Sequence, residues 1–200
     1  MANRTVSSPS HKATLPSGRS SRTAHAAVPV LLSMIEQGES GGLTTAARAL
    51  AKIAPDQAVT ELTLRLNSSD SKLRRHSADA LGFFKKSAKP AVPALIRLLQ
   101  DSDIRVRISG AVALRDIAEE PDLVVPALIA KLSDPRLEVR RVAAISLRSF
   151  GRQAKEAVPR IIRIIEENRD PFYRDSLVRA LAEIDKEAAR RLARKSKSEA

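Results

Sequence analysis

The chain has 200 residues, no cysteine and no tryptophan, and a formal charge of +12 from 35 basic and 23 acidic residues. That length fits a single domain with tails. The missing cysteines exclude a disulfide framework, a thiolate metal site and a cysteine nucleophile. No run approaches the roughly 18 apolar residues of a membrane span, and no n-region and h-region mark a secretory signal. A cytoplasmic monomer without membrane contact is expected.

Residues 1–25 carry Arg4, Lys12, Arg19 and Arg22 and no acid, among many Ser, Thr and Pro. This composition predicts a disordered basic tail, since it offers too little apolar surface to offset chain entropy. An acid-free, Ser- and Arg-rich start is also the composition of an organelle transit peptide, but no amphipathic period accompanies it. The last fifteen residues hold six Lys or Arg against Glu187 and Glu199. Most of the net charge therefore sits in the two ends, and 26–185 holds 25 basic against 21 acidic residues.

From residue 26 the chain repeats. Val28-Pro29-Val30-Leu31, Val59-Thr60-Glu61-Leu62, Val92-Pro93-Ala94-Leu95, Val125-Pro126-Ala127-Leu128 and Val158-Pro159-Arg160-Ile161 share one frame, with steps of 33 residues in the later copies. An apolar residue followed by Arg recurs as Leu73-Arg74, Val106-Arg107, Val139-Arg140 and Tyr173-Arg174. Leu50, Leu81, Leu114, Leu147 and Leu181 form a third ladder in the same phase. Each copy reads as two short helices joined by a polar turn such as Asp101-Ser102-Asp103. The proline is placed in the first turn of the first helix, where its missing N–H has no intrahelical partner. In the second helix Val106, Gly110, Ala113, Leu114 and Ile117 make one apolar stripe at helical period. One hairpin cannot bury both its faces, so the copies must stack. The expected repeats are 26–56, 57–89, 90–121, 122–154 and 155–185. A capping helix follows at 186–195, then a frayed tail at 196–200.

The run Pro93-x-Leu95-Ile96-x-Leu98-Leu99-x-Asp101-x-Asp103-x-x-Val106-Arg107, closed by Ala113-Leu114, resembles the HEAT repeat, above all its short bacterial HEAT-like form. The likeness covers 26–185, closest over 91–185. It is looser in 26–56, where Leu43 takes the Arg position and Gly38, Gly41 and Gly42 replace the acidic turn. The resemblance implies an all-α, right-handed α-solenoid that works as a protein-binding scaffold. It also implies a structural role for Arg74, Arg107, Arg140 and Arg174, bonding acidic turn residues of their own or adjacent repeats. Asp70, Asp103 and Asp170 each stand four residues before their arginine, while Arg136 takes that place in the fourth repeat and leaves Asp134 as substitute.

Enzymes with similar repeats need residues this chain lacks. Di-iron HEAT-repeat hydroxylases pair His with Glu, and neither His11, His25 nor His76 is followed by glutamate. HEAT-like DNA glycosylases use an aromatic cradle with a carboxylate, whereas Phe150 and Tyr173 fall at apolar repeat positions that predict core. No phosphate-binding glycine loop or Gly-x-Ser-x-Gly elbow is present. No catalytic residue, metal or cofactor is expected.

In such a stack the second helices line the concave side. At 100° per residue, positions equivalent to 108, 112 and 115 lie opposite the apolar stripe. This strip holds Ile108, Val112 and Ile145 in the middle, with Arg75, Arg115, Arg141, Arg148 and Arg179 around them. An aliphatic centre with an arginine rim is the pattern of a groove for an acidic, partly apolar protein segment. Two alternatives are nucleic-acid binding through the tails and these arginines, and an accessory role like that of phycobilisome lyases, whose repeats are similar.

Overall fold

The computed structural model describes residues 17–38, 41–167 and 170–198, and every regular element among them is helical. Helices α1 (Ser17–Gln37) and α2 (Gly42–Ile53) form the first hairpin, and α3 (Pro55–Arg65) and α4 (Ser71–Leu81) the second. A 3₁₀ stretch at Gly82–Ala91 leads into α5 (Val92–Leu98), which pairs with α6 (Ile104–Ile117). Next come α7 (Pro121–Lys131) with α8 (Leu137–Leu147), a second 3₁₀ stretch at Arg148–Ala157, and α9 (Val158–Glu167) with α10 (Pro171–Ile184). Helix α11 (Lys186–Ser198) packs on α10 at the far end. The fold is the all-α solenoid that the repeat implied.

Local chemistry starts these helices. Asp70 and Asp103 accept the backbone N–H of Lys72 and Arg105, each at 2.8 Å, which caps α4 and α6. Asp185 accepts from Glu187 and Ala188, both at 3.0 Å, and so opens α11. Pro55 and Pro121 stand in the first turns of α3 and α7, and Pro93 in that of α5. The repeat prolines Pro29 and Pro126 depart from the first-turn expectation, because both lie inside helices. In α7 the cause is Pro121, which starts the helix a turn ahead of the repeat frame. Helix α1 likewise begins at Ser17, within the stretch expected to be a disordered tail, and α11 continues past the cap boundary expected at 195. Residues 1–16 and 199–200 lie outside the described residues.

The core is the buried apolar stripe of every helix. Leu50, Leu81, Leu114, Leu147 and Leu181, the ladder seen in the sequence, are all fully buried along its length. The second helices α2, α4, α6, α8 and α10 pack side by side, repeat on repeat. Small buried residues, Ala47, Ala78, Ala111, Ala144 and Ala180, allow that approach. First helices meet their neighbours in large part through the 3₁₀ connectors. The layer of second helices is thus the tighter one, which in a curved stack of repeats is the inner face.

A backbone ladder accompanies the side-chain ladders. Lys85, Ala118 and Gly151 have φ of 52°, 51° and 50°, and they stand at equivalent positions of successive repeats. Lys85 and Gly151 also share ψ, at −133° and −129°, a conformation native to glycine and strained for any L side chain. Lys85 is solvent-exposed, so its side chain contributes little there. Lys85→Gly is expected to raise the unfolding free energy by about 1 kcal/mol, relief of strain outweighing the added chain entropy. Urea denaturation checks this; a loss of stability would show that the aliphatic stem of Lys85 outweighs the strain.

Candidate functional site

The arginine ladder lies along the edge formed by the turns inside the hairpins, and it is structural. Arg74 donates from Nε and Nη2 to both carboxylate oxygens of Asp101, at 2.7 and 2.8 Å, a bidentate pair between adjacent repeats. Its Nη1 donates to the carbonyls of Ser68 and Ser69 in its own turn. Arg107 repeats the pattern, with Nη2 donating to Asp134 at 3.2 Å and Nη1 to the carbonyls of Asp101 and Ser102. Arg140 donates to the carbonyls of Asp134 and Pro135 and lies 3.9 Å from Glu167. Arg174 donates to the Ile165 carbonyl. Each of the first three arginines therefore joins its own turn to the acid that opens the next one.

For Arg74 and Arg107 this corrects the partner assignment drawn from four-residue spacing. Asp70 and Asp103 are helix caps. The paired acids are Asp101, Asp134 and Glu167, each 27 residues after its arginine and 33 apart from one another. Four residues before their arginines, Asp70 and Asp103 are the N-caps and point at the free N–H groups of their own helices, whereas the facing turn of the next repeat stands within reach of a guanidinium. Arg74 holds the Asp101 carboxyl below the ordinary carboxylate range, opposed by burial. The Arg105 backbone N–H does the same for Asp103.

A second joint ties the first repeat to the second. His76, buried on α4, accepts from Arg75 Nη2 at its Nε2 (2.8 Å), because a guanidinium offers no acceptor. Its Nδ1 then carries the proton and donates to the Glu36 carbonyl at the end of α1 (3.2 Å). Gly38 follows with φ +65° and leaves the space that the ring fills. This histidine is a structural tie between helices.

The inner face carries the strip expected to bind. Arg75, Ile108, Val112, Arg115, Arg141 and Ile145 are half-buried, and Arg148 and Arg179 are exposed. Ile145 packs against the core, which Ile108 and Val112 do not. The three aliphatics are thus unlike: one belongs partly to the core, and two floor the strip. Ile145→Ala is expected to cost about 2 kcal/mol and Ile108→Ala less than about 1, a contrast readable by urea unfolding; equal costs would place Ile108 in the core.

The strip's cations are held in different ways. Arg141 lies over the Tyr173 ring, 4.3 Å from its centroid, and Arg48 over Phe83 at 5.7 Å. Arg115 pairs with Asp116, and Arg179 with Asp175. Tyr173 departs from its expected core position: it is 39% exposed and serves as a platform for Arg141, while Phe150 is buried. Burial raises the Asp79 carboxyl above its ordinary range, opposed by a hydrogen bond from Ser109. Among the described residues no group of three or more His, Cys, Asp or Glu could hold a metal ion. None of the described helices is long and apolar enough to cross a membrane.

The family model described as HEAT repeats matches residues 59–124 and 125–197. No curated protein matches the chain. The crystal structure of an engineered protein from the Northeast Structural Genomics Consortium is similar, with a TM-score of 0.51 and 25% identity over 83% of this chain and 84% of that one. The complex of CpcE and CpcF of phycocyanin lyase from Nostoc sp. PCC7120 gives a TM-score of 0.46 and 20% identity, over 90% of this chain and 85% of that chain. With the family model covering more than half of its length in two adjoining blocks, and with the arginine ladder joining its turns, the chain belongs to the HEAT-repeat family.

Proposed function

We propose that this protein is a non-enzymatic interaction module whose inner face binds a segment of a partner protein. The observation that carries the reading is the pair Ile108 and Val112, aliphatic side chains on the inner face of the central helix that do not pack on the core. Both are half-buried outside the core cluster, on the face a partner would meet. Arginines on both sides suit an acidic partner, because charge-assisted pairs at a rim steer encounter and fix register. Arg74, Arg107 and Arg140 are committed to their own turns and to acids of the next repeat, an arrangement that supports a scaffold.

A pull-down from nuclease-treated lysate with the full chain tests the reading, run beside Ile108→Asp. A defined protein should be retained by the parent and lost by the variant, with melting temperatures within about 2 °C of each other. Equal retention by both, or none by either, would overturn it. Binding that appears only without nuclease and falls steeply with salt would identify nucleic acid instead.

A further inference from the structure

We infer that the occupant of the inner face is an extended segment of about nine residues, acidic at both ends and aliphatic in the middle, that crosses the second helices from α2 to α8. The inference rests on the proposed protein-binding role and adds the chemistry and length of what is bound. Its basis is a pair of aromatic-supported arginines on either side of the aliphatic floor. Arg48 of α2 lies over Phe83, and Arg141 of α8 lies over Tyr173. A guanidinium resting on a ring loses less rotamer freedom on binding, and with Arg141 Nε buried it is the terminal Nη edge that would meet a carboxylate. Between them stand Ile108 and Val112 of α6.

The spacing sets the length. Three steps between neighbouring helices of about 8–10 Å each separate α2 from α8. An extended chain advances about 3.3 Å per residue, so roughly seven to nine residues connect the two arginines. The charge pattern selects protein over nucleic acid. Asp79 falls on the strip between Arg48 and the α6 aliphatics, and Asp116 stands beside the strip, paired with Arg115, where a continuous row of phosphates would meet them. A segment with carboxylates only at its ends avoids those acids and sets its apolar centre on Ile108 and Val112.

Fluorescein-labelled peptides test this against the full-length protein. The probe is Asp-Glu-Ser-Thr-Leu-Val-Thr-Ser-Glu-Asp, its control the isomer Asp-Glu-Glu-Asp-Ser-Thr-Leu-Val-Thr-Ser, and a ten-nucleotide polythymidine is the third ligand. The probe should bind at least ten-fold more tightly than the isomer. Arg48→Ala and Arg141→Ala should each remove about that factor, Arg141→Lys should not restore it, and melting temperatures should show that the variants fold. Equal affinity for probe and isomer, lost in Ile108→Asp, would overturn the two-ended register while leaving the inner-face reading intact. Binding of neither peptide would overturn both. Tighter binding of the oligonucleotide, sensitive to Arg48→Ala, would overturn the identity of the occupant.

Discussion

Gly38→Ala is expected to lower the unfolding free energy by about 3 kcal/mol, one of the largest losses available to a single methyl group in this molecule. A Cβ at this position would lie 1.8 Å from His76 Cε1 and 2.4 Å from both ring nitrogens, so the ring must leave its place. Moving it gives up the hydrogen bond to the Glu36 carbonyl (3.2 Å) and the one from Arg75 (2.8 Å), each worth about 1 kcal/mol net. The left-handed backbone, φ +65°, adds about 1 kcal/mol for any L side chain. These parts can be separated. In a His76→Ala background the steric and hydrogen-bond parts vanish, and Gly38→Ala should cost only about 1 kcal/mol. The same cost in both backgrounds would show that the backbone alone accounts for the loss. Repeats couple only to their neighbours, so the unfolding should begin in α1 and α2 and leave α6 to α10 protected in hydrogen exchange.

The sequence makes plain the parts of this fold that repeat in side-chain type. The leucine ladder, the Val-Arg anchor and the apolar stripe of α6 mark the core, because burial tolerates only apolar residues at those positions and the period exposes them. The arginine ladder is equally visible, but its partners are not. Spacing within a helix suggested Asp70 and Asp103, while the acids used are Asp101 and Asp134, one repeat onward. Their own 33-residue period was the available signal. Reading it requires knowing that turns of adjacent repeats face each other, a property of the stack and not of one hairpin. The left-handed ladder was hidden for a different reason: it is occupied by Lys85, Ala118 and Gly151, three residue types with no common preference.

The inner strip was legible as a list and less so as a surface. A projection at 100° per residue places Ile108, Val112 and Ile145 alike, whereas the stack treats them differently. Ile145 is drawn against the core by its neighbours. Tyr173 was the converse case. It occupies the apolar position filled by Val106 and Val139, both fully buried, yet it stands at the start of α10, 39% exposed, beneath Arg141. Here the ring is turned outward, and the Arg141 cation settles on it.

Asp101→Asn should cost about 2–4 kcal/mol at pH 7, and the cost should shrink in acid. The carboxylate accepts three hydrogen bonds, from Arg74 Nε (2.7 Å), Arg74 Nη2 (2.8 Å) and the Asp103 backbone N–H (2.9 Å). Only 9% of the Asp101 side chain and 14% of that of Arg74 are exposed, so solvent screens the pair weakly. Asparagine keeps one acceptor but sets an amide and no negative charge against a partly buried guanidinium, which is where most of the loss arises. The pH dependence has a definite sign. Arg74 lowers the folded-state pKa of Asp101 below its ordinary value, so the stabilisation is complete above the unfolded carboxyl pKa of about 3.9. It is lost as pH falls through the folded value, once the folded carboxyl takes up a proton. Urea midpoints of parent and Asp101→Asn should therefore differ at pH 5–7, and the gap should narrow progressively as pH falls below the unfolded value of about 3.9 and through the lowered folded one. The double variant Arg74→Met, Asp101→Leu should recover more than half of the loss and keep a constant offset from Asp101→Asn across that acid range. Recovery of this kind assigns the cost to the stranded cation. Its absence would assign it to the carboxylate's own role in closing the Asp101-Ser102-Asp103 turn.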